Sequence, residues 1–231
     1  MPGSREKLVE RLKDIVRQLP ASIFAPATCD TTSIGPLSLG PLVEAVSSIT
    51  VEELQVQLPA STAHIRFPIY FHDILKMAFT TERGFEAGLF GFRSAGDKIP
   101  LHDHYHMYGL LKAIRGRVEI TSYSWLPHKE ELKLMEEKDM GGLELRPALY
   151  EGRRTISSDC AATEVAVLEP STCNLHVVEA VDDGAVFFDL LIPGYRHNEC
   201  TYYKERGIPT TGEISWLMKI PVPEDLIMGR L

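Results

Sequence analysis

The sequence predicts a mainly β domain, a barrel or sandwich, preceded by a helical N-terminal extension. From about Ala63 the chain breaks into short apolar stretches rich in aromatic and β-branched residues, separated by Gly, Asp or Pro. That is the pattern of an all-β fold. The N-terminal residues instead repeat apolar side chains at helical spacing. At 231 residues, with 44% hydrophobic and 24% charged side chains, the chain is long enough to bury a core without disulfides or a structural metal. The expected division is a helical extension over 1–60 and a β domain over 61–231.

Leu8, Leu12, Ile15, Val16 and Leu19 define the first helix, Ser4 is placed to cap it, and Pro20 ends it. Residues 20–41 are rich in Pro, Gly, Ser and Thr and read as loop. A second short helix is expected near Gly40 to Ser48. Thr50-Val51-Glu52-Glu53 has the capping-box form, so a further helical turn follows. Strands are predicted within 63–71, 75–81, 85–92, 108–116, 117–125, 162–169, 175–181 and 185–193, with Gly116-Arg117 turning one into the next. Residues 127–160 are more charged, carry Gly141-Gly142, and read as a long, partly helical excursion between strands.

The net charge of −8 argues against nucleic acid as a partner, since phosphate binding needs concentrated Lys and Arg. No apolar run approaches the roughly 20 residues that span a bilayer, and none near the N-terminus has signal-peptide character. Cys29, Cys160, Cys173 and Cys200 are widely spaced, with no CxxC, as in a reduced intracellular protein. A cytoplasmic location is expected, and the Glu and Asp of the first turns weigh against a mitochondrial address. A monomer is expected, because no long amphipathic surplus remains beyond one helix.

The sharpest local feature is Gly96-Asp97-Lys98-Ile99-Pro100-Leu101-His102-Asp103-His104. Alternate residues of a strand share a face, so His102 and His104 project together toward one cation. Neutral imidazole suits Fe, Zn, Cu and Ni. His106 is in phase with them, as a further ligand or a pocket wall. The other reading of such a pair is ordinary surface or core histidine.

At these residues the chain resembles the cupin superfamily, a double-stranded β-helix or jelly-roll barrel. Its first motif runs Gly, five residues, His-x-His, three or four residues, Glu, six residues, Gly. Gly96, His102, His104 and Gly116 fall at the matching places, while Gly109 stands where the Glu would be. A cupin that lacks the acid and keeps the histidines resembles a thiol dioxygenase. The later series Asn174-Leu175-His176, Phe187-Phe188-Asp189-Leu190-Leu191, Pro193-Gly194-Tyr195 and Cys200-Thr201-Tyr202-Tyr203 is similar to the 2-aminoethanethiol dioxygenase and plant cysteine oxidase family. The resemblance covers roughly Ala63 to Tyr203.

That resemblance implies a metal set of His102, His104 and His176, with Fe(II) as cofactor and O₂ and a thiol as substrates. The thiol would be cysteamine or the N-terminal cysteine of a protein, oxidised to the sulfinic acid; the second would make the enzyme an oxygen sensor. Free cysteine needs a cation for its carboxylate, for which Arg66, Arg93 or Arg115 could serve. The resemblance places Asp189 near the substrate amine or in the site's hydrogen-bond network, as suits a buried, paired carboxylate; the other reading is a surface-facing acid on an alternating strand. Tyr195 reads as a residue of the pocket mouth or as loop packing. Cys200 and Tyr202 read as a pair on one face able to form a thioether, or as a plain buried Cys beside a Tyr. His64, His72, His128 and His197 have no partner pattern, and Cys29, Cys160 and Cys173 have only ordinary readings. Two other functions stay open: a metal cupin acting on a small organic acid, which usually keeps the Glu, and a non-catalytic ligand-binding cupin, expected to lose a His.

Overall fold

The apolar stretches form strands whose order builds two facing sheets. The computed structural model of the chain describes residues 3–24, 39–78, 84–104, 106–137, 145–159, 164–195, 200–207 and 210–230. One sheet contains β1 (Ile69–Ala78), β2 (Gly84–Phe92), β4 (Tyr108–Arg115), β7 (Val165–Leu168), β9 (Val186–Ile192) and β12 (Met228–Arg230), ordered β12-β1-β2-β9-β4-β7. The other contains β3 (Lys98–Asp103), β5 (Arg117–Trp125), β6 (Leu145–Ser157), β8 (Leu175–Ala180), β10 (Tyr202–Arg206) and β11 (Ile214–Ile220). These hydrogen-bond in a closed ring, β10-β11-β6-β5-β8-β3. From β3 to β9 the chain repeatedly crosses from one sheet to the other. The fold is the mainly β cupin jelly roll that the sequence predicts.

The N-terminal helices cover the outer face of the first sheet. Leu8, Leu12 and Val16 of α1 (Ser4–Gln18), Leu42 and Val46 of α2 (Gly40–Ser47) and Leu54 of α3 (Val51–Leu54) share one core with Tyr70, Leu110, Phe188 and Leu190. Phe187, on the other face of β9, joins the core between the sheets with Phe92, Ile99, Leu111 and Ile120. β9 is therefore buried on both faces, which is why it reads as an unbroken apolar run interrupted only by Asp189. The capping box forms: the Thr50 hydroxyl accepts from Glu53 N–H at 3.3 Å, and the Glu53 carboxylate accepts from Thr50 N–H at 3.2 Å. Ser4 does not cap α1. Gly3 occupies that position, its N–H donating to the Glu6 carboxylate at 2.9 Å, and the Ser4 hydroxyl donates to the Glu52 carbonyl at 3.0 Å.

The 127–160 segment is not mainly an excursion. Among its described residues only α4 (His128–Glu137) is helical, and β6 is a 13-residue strand paired with β5 and β11. Arg146, Gly152, Arg153 and Arg154 hide its alternation in the sequence. The Arg146 charge is met by Glu131 of α4 at 2.6 Å and 3.0 Å, and its guanidinium lies 4.1 Å over the Trp125 ring. β11 and β12 fall beyond the predicted strands. Among the described residues, no helix is long and apolar enough to cross a membrane.

Lys112 of β4 fastens the helices to the sheet. Its buried ammonium donates to the Ser47 carbonyl at 2.7 Å and to the Ile49 carbonyl, at the C-terminal end of α2, where a cation is favoured. Lys112→Met leaves these carbonyls without their donor. It is expected to cost about 2 kcal/mol, seen as a fall of roughly 5 °C in Tm. An unchanged Tm would remove Lys112 from the fastening.

Candidate metal centre

The centre is built by strand register. β3 carries His102, and His104 lies just beyond its end. His176 of β8 sits directly opposite His102, and Tyr202 of β10 opposes it on the other side. Opposed residues of neighbouring strands share a face. The three Nε2 atoms converge, with separations of 3.1 Å (His102–His104), 2.9 Å (His104–His176) and 3.0 Å (His102–His176). All three rings are buried. Burial lowers the pKa of His102 to about 4, and burial with the neighbouring imidazoles takes His104 and His176 well below the usual value. The rings are therefore neutral and offer lone pairs.

The outer nitrogens fix the orientation. His102 Nδ1–H donates to the Pro100 carbonyl at 2.7 Å, which aims the Nε2 lone pair at the centre. His104 Nδ1 lies 2.7 Å from the Tyr195 hydroxyl, and with Nε2 as the inward acceptor it is the donor. His176 Nδ1 has no partner among the described residues. Two positioning residues were not singled out from the sequence. The buried Asn174 accepts from His104 N–H at 3.3 Å and donates to the Met107 and Glu169 carbonyls at 3.1 Å and 3.2 Å. Asp103 accepts from Thr201 N–H at 3.0 Å and from the Tyr203 hydroxyl at 2.9 Å, holding β10 against β3. Asn174 stands two residues before His176, and Asp103 between the paired histidines, so their proximity to the motif was the available signal.

The histidines open onto a cavity of about 520 Å³ between the sheets. Its opposite wall includes Glu86 and Gly88 of β2, Asp189 and Leu191 of β9, and the aromatic row Phe71–Phe90–Phe187. Asp189 faces this cavity, so it is not a surface-facing acid. It is 8% exposed, and its Oδ1 has no partner among the described residues. Burial first, then Glu86, raises its pKa to about 7.

Tyr195, Cys200 and Tyr202 line the same cavity, so Tyr195 is not simply loop packing. The Cys200 thiol hydrogen-bonds with the hydroxyls of both Tyr195 and Tyr202, and burial pushes its pKa up to about 11. Cys200 precedes β10, so the pair meets without both residues lying on the strand.

His106 is not in phase. β3 has ended, the residue adopts a left-handed φ of 58°, and it neither joins the three imidazoles nor lines the cavity. His64 and His128 are exposed and away from the centre. Cys173 lines a separate cavity of about 190 Å³, where burial raises its pKa. Cys29, Cys160, His197 and the His72 side chain lie outside the described residues. No Lys or Arg is among the described residues lining the larger cavity. Arg115 donates elsewhere, to the Gly184 and Pro59 carbonyls and the Tyr70 hydroxyl.

A jelly roll with three convergent imidazoles, and no carboxylate joining them among the described residues, defines a three-histidine cupin able to hold a divalent metal. The profile of the PCO_ADO family matches residues 47–231, and the chain belongs to that family. Its relatives include the 2-aminoethanethiol dioxygenase of Mus musculus, 30% identical over 180 residues, covering 73% of this chain and 68% of the relative. The Homo sapiens protein of the same name is 28% identical over 215 residues, covering 82% and 77%. Among solved structures, KdgF from Halomonas sp. overlaps 56% of this chain and 82% of its own, at 18% identity and a TM-score of 0.34. The chain is an oxidoreductase of the PCO_ADO family.

Proposed function

We propose that the chain is an iron-dependent thiol dioxygenase that adds both atoms of O₂ to the sulfur of an aminoethanethiol group. One observation carries the reading: three neutral imidazoles face two carboxylates across a cavity whose lining, among the described residues, includes no Lys or Arg. That wall suits a thiol bearing an ammonium group and disfavours one bearing a carboxylate.

The donor set fits the metal. His102, His104 and His176, three neutral imidazoles with their Nε2 atoms 2.9–3.1 Å apart, are a donor set that would suit Fe(II). Iron held there supplies the redox chemistry that lets O₂ react with a thiol.

The protein's part is positioning. Asp189 accepts a hydrogen bond from the substrate ammonium and turns the sulfur toward the histidines. The aromatic row keeps water from that side of the cavity. Tyr195 and Tyr202 hold their hydroxyls, with Cys200, beside the reacting sulfur. A cavity of about 520 Å³ exceeds what cysteamine fills, since each of its four heavy atoms needs roughly the 30 Å³ of a water. An N-terminal cysteine with its following residues fits the remainder, and oxygen-dependent marking of such a protein is the corresponding role. A cytoplasmic setting keeps the substrate thiol reduced.

The test is O₂ consumption by the iron-loaded protein with cysteamine, a Cys-initiated peptide and free cysteine. Turnover of the first two, with free cysteine poor, is expected. Preference for free cysteine contradicts the charge argument.

Tyr195→Phe removes the hydroxyl that accepts from His104. Iron affinity is expected to fall about tenfold, measured by competition with a chelator. Unaltered affinity would show that this hydrogen bond does not support the centre.

A further inference from the structure

The acidic side of the cavity contains a second carboxylate that no sequence motif marks. β2 and β9 are antiparallel, with Gly88 opposite Asp189 and Glu86 opposite Leu191. Directly opposed residues share a face, as do residues two apart on one strand. Glu86 and Asp189 are therefore diagonal neighbours, a separation that long side chains span. Both line the cavity with the three histidines. On the β2 side the residue directly across from Asp189 is a glycine, so no opposed side chain separates its carboxyl from Glu86, whereas on the β4 side Leu111 lies opposite it.

Two further observations bear on this pair. Gly194 has φ +85°, and a Cβ added there would lie 2.7 Å from Glu86 Cγ and 3.2 Å from Glu86 N. The backbone after β9 thus lies directly against the Glu86 stem. Asp189, more than nine-tenths buried, lines the cavity with Oδ1 unpartnered among the described residues. A buried acid beside a second acid is electrostatically unfavourable unless a proton or a cation intervenes. Glu86 is the neighbouring charge that raises the Asp189 pKa.

We infer that Glu86 is a substrate-binding residue that forms, with Asp189, a two-carboxylate cradle for the ammonium group of the thiol and sets a preference for cationic over neutral thiols. The inference rests on the thiol-dioxygenase reading and deepens it. An ammonium has three donors and one charge, enough to bond both acids and relieve their repulsion. A neutral thiol leaves that repulsion in place, and a carboxylate thiol adds to it.

The test is anaerobic calorimetry on iron-loaded wild type, Glu86→Gln and Glu86→Asp, with cysteamine and with 2-mercaptoethanol, which carries a hydroxyl in place of the ammonium. Glu86→Gln is expected to weaken cysteamine binding about tenfold, leave 2-mercaptoethanol binding within about twofold, and leave iron content unchanged. Glu86→Asp is expected to recover part of the cysteamine affinity. Cysteamine affinity unchanged in Glu86→Gln, or an equal loss for both thiols, overturns the cradle. Charge-dependent binding without oxidation in air supports the cradle and contradicts the dioxygenase reading. Oxidation with unchanged binding in Glu86→Gln does the reverse.

Discussion

His176→Ala is expected to leave the protein folded, without bound iron and without turnover. His176 closes the triangle of imidazoles and is 1% exposed, so no other side chain replaces it at once. Removing an outer partner of a metal ligand typically costs 10–100-fold in affinity; removing the ligand itself is expected to cost more than about 100-fold. The fold has less at stake. Three neutral Nε2 atoms held 2.9–3.1 Å apart cannot all be hydrogen-bonded to one another at once, so the metal-free site gains little from them. Iron analysis, O₂ consumption and Tm of the metal-free protein together check this. A variant that keeps iron and activity would mean that His176 is not a ligand.

Asp189→Asn is expected to lower turnover about 100-fold with iron retained, a loss in the range of a misplaced proton-transfer or orienting group. It should also stabilise the metal-free protein at high pH. The usual Asp pKa of 3.8 is raised to about 7 in the fold by burial and by Glu86. Between these values the folded state binds the proton more tightly than the unfolded state, so Asp189 costs stability as pH rises through this window. The penalty is complete above about pH 7 and absent below the unfolded pKa. Asn does not titrate. Metal-free Asp189→Asn is therefore expected to melt several degrees above wild type at about pH 8, with the gap largely closed only near pH 4. Parallel melting curves at both pH values, with wild-type turnover, would return Asp189 to a purely structural role.

Both variants show where the sequence was informative. His102 and His104 were legible because a strand's two-residue period brings alternate side chains together. His176 followed from the family resemblance, and the strand register then placed it opposite His102. The direction of Asp189 was not legible. A strand buried on both faces has no alternation to reveal which face an acid takes, and only the helices over β9 explain the uniform run.

β6 was missed for the opposite reason. Its arginines imitate a solvated segment, although Arg146 is met by Glu131 and Trp125, both distant from it in the sequence. His106 misled because the two-residue period was carried past the point where β3 ends. Glu86 stood unremarked on an alternating strand, since only the pairing of β2 with β9 shows that its neighbour across the sheet is Asp189's own face.

The central claim is that the iron-loaded chain transfers both atoms of one O₂ to an ammonium-bearing thiol. The most direct measurement is mass spectrometry of the product formed from cysteamine, and from a Cys-initiated peptide, under ¹⁸O₂. The account predicts a sulfinic acid carrying two labelled oxygens, formed only when iron is bound. A disulfide as the sole product, or one labelled oxygen with the other drawn from water, would contradict it.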